Sequence, residues 1–250
     1  MVTITTLYEH GTLASLMAGN FAGTITVGNL LKHGSTRIGT FAGLDGELVI
    51  LDNEVYQAVA SGRVSHITDM DATMPFAAVH FPQKTQPITL TDVNFARVNH
   101  DLVATHQLNN VFAFLQLHGA FERVKTRIAP KQEQPYPTLL EVAQHQPEFS
   151  ATDITGTVLS YYAPAIFGTI TAAGWHLRFI SDDCQFAGHL LDFAAQSYQG
   201  AWRNLITWSS TCRSKTAPSG RARLTCGLFV RESLSPRGVR NKELDEDFTK

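Results

Sequence analysis

The sequence predicts a β-rich α+β fold, and three observations lead to that prediction. Residues 22–81 are dense in Gly, Thr, Val and Ile and carry turn signals at roughly eight- to twelve-residue spacing, which is typical of short strands. Strand patterns outnumber helical ones, and the longest helical spacing of apolar residues lies over 92–107. With 250 residues, 44% apolar and 17% charged, the chain can bury one large core or two small ones.

The individual elements follow from local patterns. In chain order we expect a strand over 2–7, a short helix over 13–17, hairpin arms over 37–41 and 48–51, a third arm over 55–60, a strand over 76–81, a helix over 92–107, a strand over 111–127, a short helix after Thr138 and a strand over 155–171. Residues 43–46 and 52–53 supply the turns between the arms. Thr91 or Asp92 is the candidate N-cap of the long helix and Thr138 that of the short one, since such side chains accept from free N–H groups.

Residues 174–193, GWHLRFISDDCQFAGHLLDF, read as two short strands joined by a polar turn. His176 and Arg178 point to one face of the first strand, because side chains alternate along a strand. The returning strand carries His189, so the two imidazoles can meet on one face and form half of a metal site. The spacing also allows a second interpretation, in which His176 is a polar-face residue and His189 a hydrogen-bonded one.

Composition excludes several classes of protein. The net charge of −2 argues against nucleic acid as a main partner, and no apolar run approaches the roughly 18 residues that span a bilayer. The first residues lack the basic start and apolar core of a secretory signal, so a cytoplasmic location is expected. Cys184, Cys212 and Cys226 are odd in number and lack metal-ligand spacing, which predicts free thiols.

Charge is distributed unevenly and predicts a boundary after residue 197. Residues 198–250 hold ten Lys or Arg and five Asp or Glu, whereas residues 1–197 carry a net negative charge. Periodicity also weakens after Ser197, and residues 242–250 are mostly charged. We therefore expect a folded region over 1–197 and a divergent basic tail over 198–250, with disorder at its charged end.

Four polar side chains are possible companions of the two histidines. Glu47 ends the tight turn of the predicted hairpin, Thr40 lies across that hairpin, and Arg127 ends a predicted strand before a Pro-rich loop. Arg178 shares the face of His176. Each also fits an ordinary structural role as a surface Glu, a turn Thr or a solvated Arg. The chain has neither a phosphate-binding Gly-rich loop nor a Gly-x-Ser-x-Gly nucleophile motif.

Several long blocks in the right order resemble the α-acetolactate decarboxylase family over residues 1 to about 197. These blocks are GTFAGLDGELVILDNEVYQ from Gly39, MPFAAVHF from Met74, HGAFERVKTRIAPKQ from His118 and the stretch from Gly174. The resemblance implies a metal-dependent enzyme, usually with zinc, that decarboxylates (S)-2-acetolactate to (R)-acetoin. It also implies a homodimer whose subunits have two mostly β domains, a mixed sheet and an open barrel-like sheet, enclosing a metal cleft.

Site residues carry over position by position from the same resemblance. His176 and His189 match two of the family's three histidine ligands, Arg127 its active-site arginine, Glu47 its Leu-Asp-Gly-Glu glutamate and Thr40 the threonine of its Gly-Thr-Phe. The implied mechanism uses Zn²⁺ as a Lewis acid that stabilises an enediolate after CO₂ departs. We expect Arg127 to hold the carboxylate, and Glu47 or a metal-bound water to donate the proton.

The chain departs from the family at positions that matter for the chemistry. Arg178 stands where the family has its third histidine, and a guanidinium has no lone pair for a metal, so weakened zinc binding is expected. Cys184 replaces an arginine, and no C-terminal active-site glutamate can be aligned; Glu232, at about the right distance, is not favoured. The alternative function is therefore a catalytically silent homologue that keeps the fold and binds small hydroxy-keto acids.

Overall fold

Two large β-sheets and one two-stranded sheet build the structure, a computed structural model that describes residues 6–81, 85–205, 207–212 and 222–224. The elements of the N-terminal half are β1 (Thr6–His10), α1 (Leu13–Met17), β2 (Ile25–Thr26), α2 (Val27–Leu31), β3 (Thr36–Phe41), β4 (Asp45–Leu51), β5 (Glu54–Ala58), β6 (Val64–His66), β7 (Thr73–Met74) and β8 (Phe76–His80). Those of the C-terminal half are β9 (Gln86–Asn94), α3 (Phe95–Arg97), a π-helical segment (Val98–Leu102), α4 (Val103–Thr105), β10 (Phe112–Arg127), α5 (Leu139–Ala143), β11 (Glu148–Ala163), β12 (Gly174–Ser181), β13 (Ala187–Leu205), β14 (Thr207–Cys212) and β15 (Ala222–Leu224).

The first sheet is mixed, and the second is barrel-like. The first has the order β15-β14-β1-β8-β3-β4-β5-β6, in which β1 pairs in parallel with β14 and antiparallel with β8. The second has the order β10-β11-β12-β13-β9, and an additional pairing of β10 with β13 closes four of its strands into a ring. The predicted β-rich fold with a mixed and a barrel-like sheet is thus confirmed. The metal cleft between the sheets stays a prediction.

Side-chain alternation on the strands builds two adjoining cores. On β11, Tyr161 packs into the core shared by the two sheets, and Tyr162 packs into the barrel interior. On β12, Trp175, Leu177 and Phe179 also face the barrel interior. His176 and Arg178, which alternate with these residues on β12, therefore face the first sheet. This orientation places their side chains between the two sheets.

Most predicted elements are present, with corrections at several boundaries. The strand predicted over 2–7 is β1, which runs from Thr6 to His10, and residues 2–5 lie outside the described residues. The hairpin of β3 and β4 is confirmed, with turn residue Gly43 at φ +78°. The predicted helix over 92–107 begins instead at Phe95, because β9 continues to Asn94 by pairing with β13 and the Asn94 side chain caps the helix. The predicted strand over 155–171 is β11, which starts earlier and ends at Ala163 because it pairs with β10 along its length.

The predicted boundary after residue 197 lies inside a strand. The backbone of β13 runs without interruption to Leu205 and pairs there with β9 and β10, and β14 then joins the first sheet. Residues 213–221 and 225–250, which include Glu232 and the charged end, lie outside the described residues, so the predicted tail stays a prediction there. No helix of the described chain is both long and apolar enough to cross a membrane.

Candidate functional site

A cavity of about 210 Å³ lies where the two sheets face each other. Its polar lining comes from both sheets: Thr40 and Glu47 from β3 and β4, Arg127 from β10, and His176, Arg178 and His189 from β12 and β13. Apolar side chains of α1, α5 and neighbouring segments form the remaining wall, namely Leu13, Leu16, Leu44, Phe76, Leu139, Ala143 and Ala172. All five residues that the sequence analysis placed in the site therefore line one cavity.

Strand register brings the residues of the second sheet together. His189 pairs with Arg178 across β12–β13 and with Arg127 across β10–β13. His176 lies two residues before Arg178 and so faces the same side. The ring centroids of His176 and His189 are 5.0 Å apart, so the two imidazoles meet as the alternation predicts.

The β3–β4 hairpin positions the residues of the first sheet. Gly46 has φ +75°, and a Cβ atom there would lie 2.2 Å from the carbonyl oxygen of Ala58, so only glycine fits this bend. The buried hydroxyl of Thr40 donates to the carbonyl oxygen of Gly46 at 2.8 Å. This bond fixes the turn that precedes Glu47, and the Thr40 oxygen keeps its lone pairs for a ligand.

Glu47 is buried and paired with Arg178. Its Oε2 lies 2.5 Å from Nη2 of Arg178, and its Oε1 accepts from the N–H of Ala129 at 3.4 Å. The side chains of Arg178 and Glu47 are only 6% and 7% exposed, so water screens the pair weakly. Burial raises the pKa of Glu47 above its ordinary value, and the positive charge of Arg178 opposes that rise.

Arg178 also contacts the histidine pair. Its Nη1 donates to Nδ1 of His189 at 2.7 Å. Because a guanidinium only donates, Nδ1 of His189 accepts and the proton of the neutral ring lies on Nε2. Burial, reinforced by the charge of Arg178, holds the pKa values of His176 and His189 well below the ordinary range, so both rings are neutral.

The observed donor set does not fit the three-ligand zinc site that the resemblance implies. Catalytic zinc is held by three protein ligands, and the described residues contain no group of three His, Cys, Asp or Glu side chains placed to hold a metal. Arg178 lies where the resemblance implies a third histidine, and its guanidinium engages a lone pair of His189. Cys184, a free thiol in the β12–β13 turn, is not among the described residues that line the cavity.

Sequence reasoning did not identify Gln146 or the partner of Arg178. Gln146 lines the cavity, and its Oε1 is buried with no hydrogen-bond partner in the described part of the chain. It follows α5 in a segment without a motif, so no local signal marks it. The pairing of Arg178 with Glu47 depends on how the two sheets face each other, which local patterns do not encode.

Known proteins resemble this chain over most of its length. Residues 7–215 match the family model described as alpha-acetolactate decarboxylase. The alpha-acetolactate decarboxylase of Lactococcus lactis subsp. cremoris is 37% identical over 197 residues, which cover 77% of this chain and 81% of the relative. That of Brevibacillus brevis is 35% identical over 188 residues, which cover 74% of this chain and 65% of the relative.

Two solved structures share the fold. A Staphylococcus aureus protein of unknown function, similar to alpha-acetolactate decarboxylase, has a TM-score of 0.80 at 30% identity, covering 83% of this chain and 89% of its own. The alpha-acetolactate decarboxylase of Bacillus subtilis has a TM-score of 0.81 at 24% identity, covering 84% of this chain and 90% of its own.

Proposed function

Because the chain belongs to the alpha-acetolactate decarboxylase family, we propose that it decarboxylates 2-acetolactate to acetoin in the cavity between the two sheets. The observation that carries this proposal is the convergence of Arg127, Glu47, Thr40, His176 and His189 on that one cavity. Activity as a carboxy-lyase agrees with the named function of the relatives.

Charge and size in the cavity favour a small carboxylate. Among the described lining residues, the cations of Arg127 and Arg178 outnumber the one carboxylate of Glu47, so an anionic ligand is attracted. The volume of about 210 Å³ lies below the roughly 300–1,000 Å³ of sites for drug-sized ligands. Both features suit a short hydroxy-keto acid such as 2-acetolactate.

The side chains have distinct proposed tasks in the reaction. Arg127 binds the substrate carboxylate, and Thr40 accepts a hydrogen bond from the substrate hydroxyl. When the bond to the carboxylate carbon breaks, CO₂ leaves and the electron pair forms an enediolate. Glu47, whose pKa is raised by burial, takes up a proton from water and delivers it to the carbon that lost CO₂, on one face only. The described donor set does not fit zinc, so no step is assigned to a metal.

Acetoin formation by the purified chain tests the proposal. We expect acetoin in excess over an enzyme-free blank, with one enantiomer dominant by chiral gas chromatography, because an enzyme protonates one face. Arg127→Gln should lower kcat/KM by about 100-fold or more, a loss typical of removing one charge-stabilising donor. The control is Arg123→Gln on the same strand, whose exposed side chain pairs with Asp192 outside the cavity.

A catalytically silent homologue is the second candidate function. The observation that favours it is Arg178, which stands in the place of a family ligand and is ion-paired with Glu47. This hypothesis predicts that the folded chain binds a 2-hydroxy acid, which calorimetry would detect. It also predicts that the chain forms no acetoin above the blank. Acetoin above the blank would exclude it.

The assembly and location that the resemblance implies are part of the proposal. A homodimer is expected, and light scattering coupled to size-exclusion chromatography would report twice the 27.5 kDa chain mass. A cytoplasmic location stays a prediction from the sequence, and cell fractionation tests it.

A further inference from the structure

We infer that Arg178 takes over the electrostatic role of a metal in this cavity, so that the chain decarboxylates its hydroxy-keto carboxylate without a zinc ion. This inference rests on the proposed function, because it concerns the same cavity and the same reaction. It goes further in assigning Arg178 as the group that stabilises the enediolate.

Three contacts hold the guanidinium of Arg178 in one orientation. Its Nη2 lies 2.5 Å from Oε2 of Glu47, its Nη1 lies 2.7 Å from Nδ1 of His189, and Nη1 also donates to the carbonyl oxygen of Leu177 at 3.2 Å. The residue is 5% exposed. A fixed, buried donor of this kind is the element that electrostatic catalysis requires, since it need not reorganise during the reaction.

The charges around Arg178 suit an anion better than a dication. Arg127 and Arg178 are cationic, and Glu47 is the one carboxylate among the described residues of the lining. A zinc ion would be repelled at short range by both guanidinium groups in a site of low dielectric constant. A carboxylate ligand would instead be attracted by the net positive charge.

Two residues of the cavity each have a buried hydrogen-bond donor without an acceptor in the described part of the chain. The Nε atoms of Arg127 and Arg178 have no hydrogen-bond partner within the described ranges. Buried N–H groups are nearly always satisfied, so each of these two atoms is a free donor for an oxygen acceptor of a ligand. Arginine and carboxylate form strong charge-assisted bonds, which makes a small organic acid the fitting ligand class.

The reaction balances with these groups alone. The bond between C2 and the carboxylate carbon breaks, CO₂ leaves, and the electron pair moves into a C2–C3 double bond while negative charge collects on the C3 oxygen. Arg178 stabilises that oxygen as a hydrogen-bond donor and cation. A proton taken from water and delivered by Glu47 then adds to C2, which restores the C3 carbonyl group and gives acetoin, without oxidant, reductant or metal.

The unaltered chain provides the first test. The purified full chain is treated with EDTA, exchanged into metal-free buffer, and assayed with 2-acetolactate before and after addition of ZnCl₂, while its zinc content is measured by mass spectrometry. We expect zinc far below one per chain and the same rate of acetoin formation in both conditions.

Substitutions of Arg178 provide the second test. Arg178→Lys keeps the charge but loses the planar fork. We therefore expect kcat to fall by about 10- to 100-fold, a smaller effect than the roughly 100- to 1,000-fold loss that follows removal of a whole oxyanion donor. Arg178→His creates three histidines on one face and should take up close to one zinc per chain. Arg123→Lys and Arg123→His are the matched controls, because Arg123 is exposed and pairs with Asp192 away from the cavity.

Each outcome decides between the inference and the proposed function. Zinc-free activity in the unaltered chain together with impaired Arg178→Lys supports the inference. Activity that requires zinc, with about one zinc bound per chain, overturns the inference and leaves the proposed function standing. Full activity of Arg178→Lys also overturns it. A folded chain that forms no acetoin in either condition rejects the proposed function, and the inference falls with it.

Discussion

Burial gives the Arg178–Glu47 ion pair an importance that the same contact lacks at the surface. Its side chains are 6% and 7% exposed, whereas Glu54 and His66 lie equally close, at 2.5 Å, with side chains 57% and 45% exposed. Exposed pairs contribute about 0–1 kcal/mol, while removing one partner of a buried pair costs about 3–5 kcal/mol. The difference arises because the remaining buried charge has no water to replace its partner.

Glu47→Gln should therefore lower the free energy of unfolding by about 3–5 kcal/mol, since it leaves the buried guanidinium without its counter-charge. Urea denaturation measures this change. Glu54→Gln, on the neighbouring strand, is the control and should cost less than about 1 kcal/mol. Equal midpoints for the two variants would show that the pair contributes little beyond a surface contact.

The buried histidines make stability depend on pH. Burial lowers the pKa values of His176 and His189 well below 6.5 in the folded state, whereas the unfolded chain titrates at that value. As the pH falls below 6.5, these two histidines bind protons in the unfolded state but stay unprotonated in the folded state. The free energy of unfolding therefore decreases by up to about 1.4 kcal/mol per pH unit for each ring. Burial raises the pKa of Glu47 above 4.5, so the folded state binds this proton more tightly than the unfolded state does. Protonation of Glu47 therefore increases the free energy of unfolding as the pH falls, which opposes the effect of the histidines.

We expect unfolding free energies from urea titrations to be lower at about pH 5.5 than at about pH 7.5. His176→Gln should reduce that difference, because one of the two titrating rings is gone. A difference that persists undiminished in His176→Gln would refute the assignment to this ring.

At the scale of elements, short helices shape the cavity wall and depend on their caps. Thr138 and Glu141 form a capping box at the start of α5, whose Leu139 and Ala143 line the cavity. Thr26 caps α2 in a similar way by accepting from the N–H of Asn29, but α2 does not contribute to the cavity lining. The two caps thus allow the effect on stability to be separated from the effect on the site.

Thr138→Ala should lower the free energy of unfolding by about 1 kcal/mol and raise KM for 2-acetolactate, because α5 loses the bonds that hold its first turn against the cavity. Thr26→Ala should cost a similar amount and leave KM unchanged. Steady-state kinetics beside urea denaturation separate the two effects. If KM rises in both variants, the cause is a loss of stability of the whole fold, and the position of α5 at the cavity wall is not responsible.

Local patterns predicted the elements whose causes are local. The β3–β4 hairpin follows from alternation and its glycine turn, and the meeting of His176 with His189 follows from alternation on β12 and its return strand. The start of the helix at Phe95 could not be predicted, because distant pairing with β13 keeps residues up to Asn94 extended. The contact of Arg178 with Glu47 likewise depends on the packing of one sheet on the other.

At the scale of the whole molecule, a buried hydrogen-bond chain connects the two sheets. The Tyr161 hydroxyl of the second sheet donates to the carbonyl oxygen of Thr36 in the first at 3.0 Å and bonds Nδ1 of His80 at 2.6 Å. The neighbouring Tyr162 faces the barrel interior instead. Since the cavity needs residues of both sheets, this link also maintains the site.

Tyr161→Phe should lower the free energy of unfolding by about 1–3 kcal/mol, because it leaves buried polar groups of the first sheet without this partner. Tyr162→Phe is the matched control, at the next position and with its ring on the other face. Denaturation followed by both tryptophan fluorescence and circular dichroism measures the change. Equal loss in both variants would mean that the hydrogen bonds of Tyr161 contribute nothing specific to the joining of the sheets.

The parallel pairing of β14 with β1 bears on how the chain can be shortened. From Thr6 opposite Thr207 to His10 opposite Thr211, β14 covers one side of β1. A chain ending at Leu205 would turn β1 into an open edge whose N–H and C=O groups recruit strands of other molecules. Removal of the basic end together with β14 would therefore promote aggregation, which light scattering of the shortened chain would register.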